Sequence, residues 1–304
     1  VLDKFEYLIA LAREQHFGRA AEACGVTQQT LSASLKQLED RLGVLLVKRG
    51  SRYQGFTPEG ERVLDYARRM VGDARALQQE IATLKRGLHG HLRIAAIPTA
   101  LPMIAALTTP YRRMHPGVRF TILSATSVEI LSALEDLQID AGITYLDNEP
   151  LGRVTRVPIY RESYRLLTAA SGTFGDRDKV SWAEVGSVPL CLLTPDMQNR
   201  RIIDQHLRAA GVEPAPMLVS NSMILLMTHV RTGEWASIMP AVLADTLGLT
   251  EYVRSIPIVG SEATYTIGLI APLREPAIPM VSALIGQART LADELASQPD
   301  QSVK

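Results

Sequence analysis

Cysteine is nearly missing from this chain. Cys24 and Cys191 are the only two in 304 residues, too few for a disulfide framework and without the spacing of a metal site. Both are expected to be packing residues in a reduced compartment. Long apolar runs are missing too, since no stretch reaches the roughly 18 uninterrupted apolar residues of a membrane span. The opening "VLDKFEYLIALAREQHF" lacks the basic leader and unbroken apolar core of a secretory signal, so a cytoplasmic location is expected. Also absent are a G-x-S-x-G elbow, an H-E-x-x-H pair, a phosphate-binding loop and any close set of His, Cys and carboxylates. His16, His89, His91, His115, His206 and His229 are scattered and read as structural or surface residues. No catalytic residue, metal site or cofactor is expected, and the chain does not read as an enzyme.

An overall charge of zero hides an asymmetry. Residues 1–90 carry 14 Lys and Arg against 11 Asp and Glu, leaving 18 against 21 for the rest. A small basic N-terminal unit before a larger, mildly acidic one permits nucleic-acid binding without requiring it.

The N-terminal unit is helical by periodicity. "FEYLIALA" gives a first helix over about Asp3–Glu14 and Ala20–Cys24 a short second one, with Gly25 as a turn. Thr27 is placed to cap a third helix. With Leu31 at zero and about 100° per residue, Leu35, Leu38 and Leu42 fall within roughly 40° of it; Gln29, Ser32, Ala33 and Lys36 fall at about 100–200°. The outward side of this helix is therefore compact, polar and mostly uncharged. Glutamine offers a donor and an acceptor to a base edge, serine offers either, and a helix N-terminus suits a phosphate. Solvated first-turn residues and a plain cap explain Thr27, Gln28 and Gln29 equally well. The following "KRGSRYQGF" reads as a basic hairpin, either a solvated turn or a wing against DNA, carrying Lys48, Arg49, Arg52 and Tyr53.

Thr57 and Pro58 then start a long helix. Its apolar residues Val63, Ala67, Met70, Ala74, Leu77, Ile81 and Leu84 alternate by 4 and 3, the seam of a helix pair. Packing in cis is the competing explanation. "RGLHGH" forms a flexible joint, after which short apolar strands alternate with helices: "LRIAAI", "VRFTIL", "IDAGIT", "YRLLTA" and "PLCLLT" are strands, and "VEILSALEDLQ", "NRRIIDQHLRAAG" and "MILLMTHVRTG" are helices. This order predicts a parallel sheet covered by helices, in two subdomains.

At "HFGRAAEACGVTQQTLSASLKQLEDRLGVLLVKR" followed by "FTPEGERVL" the sequence resembles the LysR-type transcriptional regulators, and the resemblance runs over essentially the whole chain. It is carried by the Ala20 and Ala21 pair, "GVTQQTLS", Leu38 and Glu39, Leu42 and Gly43, Lys48 and Arg49, and "TPEG". Cys24, Val47 and Ala33 depart from the usual leucine, phenylalanine and arginine.

The resemblance implies a multidomain α/β protein: an N-terminal winged helix-turn-helix over 1–60, a long linker helix and joint over 58–90, and a periplasmic-binding-protein-like effector domain over 91–304. The last divides into subdomain I, about 91–161 and 267–296, and subdomain II, about 162–266. It implies DNA contacts from Thr27, Gln28, Gln29, Thr30, Ser32, Ala33 and Lys36 in the major groove, with Lys48, Arg49, Arg52 and Tyr53 at the wing. It also implies a homodimer through the linker helix, tetramers, and RNA polymerase as a candidate further partner.

The effector cleft is expected at Thr99 and Ala100 in "RIAAIPTALP", at Thr126 and Ser127 before the next helix, and across it at Pro195, Asn199, Arg200, Asn221 and Ser222. Thr126 and Ser127 are helix caps, anion donors, or both; Arg200 pairs with a ligand carboxylate or with a nearby acid. The family's "G-x-L-D" feature is read at "LQID", with Gln138 in the glycine's place. A small organic anion is the expected effector. One branch of the family senses peroxide through cysteines, but Cys191 falls in a buried-strand pattern and reads as core. The preferred reading is a ligand-responsive, sequence-specific regulator of transcription acting on double-stranded DNA. A small-molecule-binding or scaffold protein without gene-specific DNA binding is the alternative.

Overall fold

The structure, a computed structural model, describes every residue except 49, 51, 148–149, 247–251, 261–264 and 298–304, and only the backbone of residue 86. Three helices open the chain: α1 (Leu2–Glu14), α2 (Phe17–Ala23) and α3 (Gln28–Leu42). α2 starts three residues earlier than expected because the His16 ring caps it, Nδ1 accepting from the Gly18 and Arg19 amides. Leu8, Leu11, Leu31, Leu35 and Leu38 meet in a core of their own. Leu42, expected in that stripe, is 45% exposed: it is the last residue of α3, and the left-handed Gly43 cap turns the chain away before the stripe can close over it.

α4 (Pro58–Arg86) is a single 29-residue helix. Thr57 caps it by accepting from the Gly60 amide while its hydroxyl donates to the Leu45 carbonyl at 2.6 Å. A side chain at Gly60 would stand 2.0 Å from the Leu46 carbonyl oxygen, so "TPEG" is spelled by a close helix-to-backbone approach. Leu64, Ala67 and Val71 bury one flank of α4 in the N-terminal core.

Beyond the joint, β1 (His89–Ala96), β2 (Gly117–Ser124), β3 (Ala141–Tyr145), β4 (Val154–Glu162) and the late strand β11 (Tyr265–Pro272) form one sheet in the order β2-β1-β3-β11-β4. α5 (Met103–Met114), α6 (Ser127–Glu135) and α11 (Pro279–Ser297) pack on it. β1 pairs in parallel with β2 and β3, but β11 is antiparallel to β3 and β4. The all-parallel expectation is thus corrected: β11 returns from the second half of the chain and enters with reversed direction.

That second half has β5 (Tyr164–Ala169), β6 (Val180–Ser181), β9 (Ser237–Pro240) and β10 (Val253–Val259) in the order β6-β10-β5-β9. A separate pair, β7 (Cys191–Leu193) and β8 (Leu218–Ser220), joins it through a bridge from Leu190 to Ala236. The helices are α7 (Trp182–Val185), α8 (Gln198–Ala209), α9 (Met223–Val230) and α10 (Ala241–Thr246). The chain crosses between the two sheets at residues 162–164 and again between β10 and β11, which leaves a cleft between two halves.

One residue of the cleft region corrects the sequence reading. The left-handed backbone after α6 belongs to Leu137, at φ 57, so it is Leu137 and not Gln138 that occupies the position suited to glycine.

Candidate DNA interface and effector cleft

The outward side of α3 keeps the layout its periodicity predicts. Thr27, Gln28, Gln29, Thr30, Ala33 and Lys36 are exposed and Ser32 is half-buried. Thr27 accepts from the Thr30 amide at 3.2 Å, and the two hydroxyls lie 2.9 Å apart. Gln28 and Gln29 thereby open the helix, where the positive end of its dipole adds to the unpaired amides. Ser32 and Lys36 border a groove of about 790 Å³ between α3 and the segment that follows.

Among the described residues, the basic segment after α3 has the pairing of a hairpin at its base. One antiparallel bridge joins Val47 to Phe56, and the Lys48 amide donates to the Gly55 carbonyl at 3.0 Å. Glu39 fixes its direction: one carboxylate oxygen accepts from the amides of Leu46 (2.7 Å) and Val47 (3.1 Å). Lys48 and Arg52 are exposed on it, and Arg49 lies outside the described residues. Tyr53 is half-buried with its ring edge-on to Phe17 and Phe56, at centroid distances of 6.4 and 5.7 Å. Burial raises its pKa. The ring is the foot of the wing, which limits what Tyr53 can offer to DNA.

Of the expected seam on α4, Met70, Leu77, Ile81 and Leu84 are exposed and Val63 and Ala74 are half-buried. Ala67 is wholly buried in the N-terminal core, so packing in cis accounts for that turn of the pattern. The helix packs in cis at its start and presents apolar residues outward from Met70 on.

The cleft between the two halves is closed to about 10 Å³, barely the space of one water. Thr99, Thr126, Ser127 and Asn199 line it as expected. Thr126 is spent on a capping box with Glu129. The Thr99 and Ser127 hydroxyls, at 1% and 2% exposure, have no hydrogen-bond partner among the described residues. Two helices begin at the cavity, α6 from one half and α8 from the other, and the N-cap of α8, Met197, supplies no side-chain bond to its first amides.

The structure does not bring the other expected residues to the closed cavity. Arg200 is buried, but its guanidinium donates to Asp204 at 2.7 Å and to the Leu193 carbonyl at 2.8 Å, so of its two readings the nearby acid is the one the structure forms. Pro195 and Asn221 are exposed. Ser222 caps α9 by accepting from the Leu225 amide, and Ala100 is buried in the turn Pro98–Ala100.

Residues that sequence reasoning missed complete the wall: Ile97, Pro98, Tyr145, Leu193, Met197 and Gln198. Gln198 carried a findable signal, as the first residue of an amphipathic helix after "TPD". Its side-chain oxygen accepts from the Arg201 guanidinium, which leaves its NH₂ group as the end able to donate elsewhere. Tyr145 carried none, because only the strand pairing shows that β3 ends at the cavity.

Behind that wall lies a carboxyl group. Glu162, at 1% exposure, ends β4 where the chain crosses between the halves. One of its oxygens accepts from Tyr145 (2.6 Å) and Tyr164 (2.7 Å), and the other has no hydrogen-bond partner among the described residues. Burial pushes its pKa up to about 7, against the downward pull of the two phenol hydrogen bonds. Among the described residues no group of three or more His, Cys, Asp or Glu can hold a metal, and no helix is long and apolar enough to cross a membrane.

Two family descriptions match along the chain: "Bacterial regulatory helix-turn-helix protein, lysR family" over residues 2–61 and "LysR substrate binding domain" over residues 85–293. A hydrogen peroxide-inducible genes activator of Haemophilus influenzae is 26% identical over 295 residues, covering 95% of this chain and 98% of its own length. The DNA-binding transcriptional dual regulator OxyR of Escherichia coli K12 is 28% identical, covering 88% and 90%. Among solved structures, a full-length OxyR variant from Pseudomonas aeruginosa superposes with a TM-score of 0.72 at 25% identity, over 96% of this chain and 99% of that one. Full-length CbnR complexed with its target DNA shares the fold at 21% identity and a TM-score of 0.60, over 96% and 99%.

Proposed function

The chain belongs to the LysR family of bacterial regulators, and we propose that it reads its operator through α3 while a small organic anion in the cleft sets its state. It is a ligand-responsive, sequence-specific DNA-binding regulator of transcription and not an enzyme. The observation that carries the ligand reading is the pair of buried, unpartnered hydroxyls, Thr99 and Ser127, where two helix N-termini meet. Buried polar groups are almost always satisfied, so this pair suits a ligand that supplies acceptors. Helix N-termini favour a negative one. The closed cavity means that entry requires the halves to part.

On the DNA side, Thr27, Gln28, Gln29, Thr30, Ser32, Ala33 and Lys36 form the groove-facing set, and Lys48 and Arg52 sit against the phosphates. Base discrimination belongs to the amides and hydroxyls, while the nonspecific attraction belongs to the wing. Residues 1–60 act as the DNA-binding unit, 58–90 as linker and 91–304 as effector unit. Met70, Leu77, Ile81 and Leu84 support a homodimer through α4. Exposed Leu123 and Val128 at β2 and α6, with exposed Val219 and Ile224 at β8 and α9, support a second self-association face and hence a tetramer. RNA polymerase is the further partner such a regulator would meet.

Peroxide oxidation of a thiol, which the names of the similar proteins bring up, is disfavoured by this chain's own cysteines. Cys191 is fully buried in β7 and its thiol is pushed up to about 11 by burial; Cys24 is half-buried against the other core and its pKa is also raised by burial. A reactive cysteine needs an accessible thiolate.

Calorimetric titration of the full chain with a panel of small carboxylates tests the ligand reading. A saturable heat that disappears in Thr99→Val and Ser127→Ala variants supports it; a heat unchanged by both overturns the residue assignment. Genome-wide footprinting tests the DNA reading, which predicts discrete paired half-sites about one turn apart or multiples of that.

A further inference from the structure

α6 has two ends with different neighbours. Its first residue, Ser127, lines the cleft. Its last turn runs through Asp136 into Leu137, and there the effector half meets the helices of the DNA-binding half. Asp136, at 8% exposure, accepts from Arg68 of α4 at 2.8 Å. The Leu137 carbonyl accepts from Arg75 of α4 at 3.1 Å, and the same guanidinium donates to Glu6 of α1 at 3.2 Å. The Leu137 side chain packs against the N-terminal core beside α1 and α4.

Leu137 does this from a left-handed backbone that favours glycine. The turn is closed by α6's own last carbonyls, Leu134 accepting from the Leu137 amide at 3.2 Å and Ala133 from the Gln138 amide at 2.8 Å, and what this fixed backbone presents to the other domain is the Leu137 side chain. Around this contact the junction is open rather than packed. Clefts of about 490 and 530 Å³ flank the turn, bordered by Arg69, Arg153 and Arg274 on one side and by Arg13, Cys24 and Gln138 on the other. Small, polar junctions between domains open more readily than packed ones.

We propose that the Asp136–Leu137 turn is a releasable latch by which the effector domain holds its own DNA-binding unit, and that α6 transmits the opening of the cleft to it. Nine residues of helix span about 13 Å, and a rigid rod that shifts at Ser127 must shift at Asp136. Parting the halves then draws Leu137 out of its seat and breaks the Arg68 and Arg75 contacts, loosening α1 and α4 about the remaining tie from Arg274 to Asp73. The transmission step rests on the cleft being the effector site; the latch itself does not.

Hydrogen exchange on the full chain, with neither DNA nor effector, tests the latch. Leu137→Gly removes the side chain at a backbone position glycine prefers, so the effector domain is expected to melt no lower than in the wild type. Amides in α1 (residues 5–11) and α4 (residues 64–76) are expected to exchange at least fivefold faster, with β1 and β11 unchanged. Asp136→Asn is expected to move the same amides in the same direction. Exchange within twofold of wild type in both variants overturns the latch.

A wedge in the cleft, Thr99→Phe, tests transmission, with Ser127→Leu as the second wedge. Either is expected to speed α1 and α4 exchange at least threefold in the wild type and to add nothing in the Leu137→Gly background. A wedge effect that is absent, or equal in both backgrounds, overturns transmission and leaves the regulator reading standing.

Discussion

The Tyr145 hydroxyl donates a 2.6 Å hydrogen bond to Glu162, so a residue of the cleft wall is anchored on a buried carboxyl at the crossing between the two halves. Tyr164, the first residue of β5, donates to the same oxygen. The carboxyl therefore ties one half to the other just behind the ligand cavity. His206, Trp182 and Tyr265 surround this cluster from α8, α7 and β11.

A pH dependence follows from that burial. The pKa of Glu162 is raised to about 7 in the folded chain, so its neutral form is the favoured one. The stability it contributes is fully present below the unfolded carboxyl value and is lost as pH rises through 7; the loss is on the order of 3 kcal/mol. Glu162→Gln is expected to flatten this slope. Melting temperatures from pH 5 to 8 check it: the wild type should lose stability relative to the variant across that range, and parallel curves would assign the titration elsewhere.

Removing an unsatisfied buried hydroxyl should not destabilise the empty protein. Thr99→Val and Ser127→Ala are each expected to leave unfolding free energy within about 0.5 kcal/mol of wild type or to raise it. Binding of a small carboxylate should weaken tenfold or more. Stability loss above about 2 kcal/mol in both would mean that the hydroxyls are structurally engaged.

The division of labour on the DNA face has a two-sided readout. Gln29→Ala and Ser32→Ala should weaken operator binding by about 1–3 kcal/mol with little effect on random duplex. Lys48→Ala and Arg52→Ala should weaken both, each lowering the salt slope by about one. Equal losses on both DNAs for Gln29→Ala and Ser32→Ala would return those residues to plain solvated surface.

Thiol reactivity should follow burial. In the native chain Cys24, half-buried, should react with an alkylating reagent before Cys191, which needs opening of the β7 core. Mass spectrometry of partially labelled protein after peroxide treatment checks the order. Prior oxidation of Cys191 would revive a redox role.

The sequence carried the parts of this protein that depend on neighbours a few positions apart. Leu31, Leu35 and Leu38 define the buried side of α3 by spacing alone, so the outward set from Thr27 to Lys36 was legible. Thr57 with Pro58 marked the start of α4, and Thr126 with Ser127 the start of α6. Alternation of short strands and helices announced two α/β halves. Gln138 was read one position off at the α6 turn, because the backbone sign that singles out Leu137 is not written in residue type.

Everything joining distant segments waited for the tertiary structure. β11 reverses the direction of its sheet because it returns from the second half, and no local pattern encodes a strand's partner. Arg200 suited a ligand carboxylate and a nearby acid equally until the fold placed Asp204 and the Leu193 carbonyl against it. Tyr145, Glu162 and Gln198 form the cleft's wall and backing from three different elements, and the latch pairs residues up to 68 positions apart. Periodicity fixes which face of an element is buried. Only packing decides against what, and that choice makes a site.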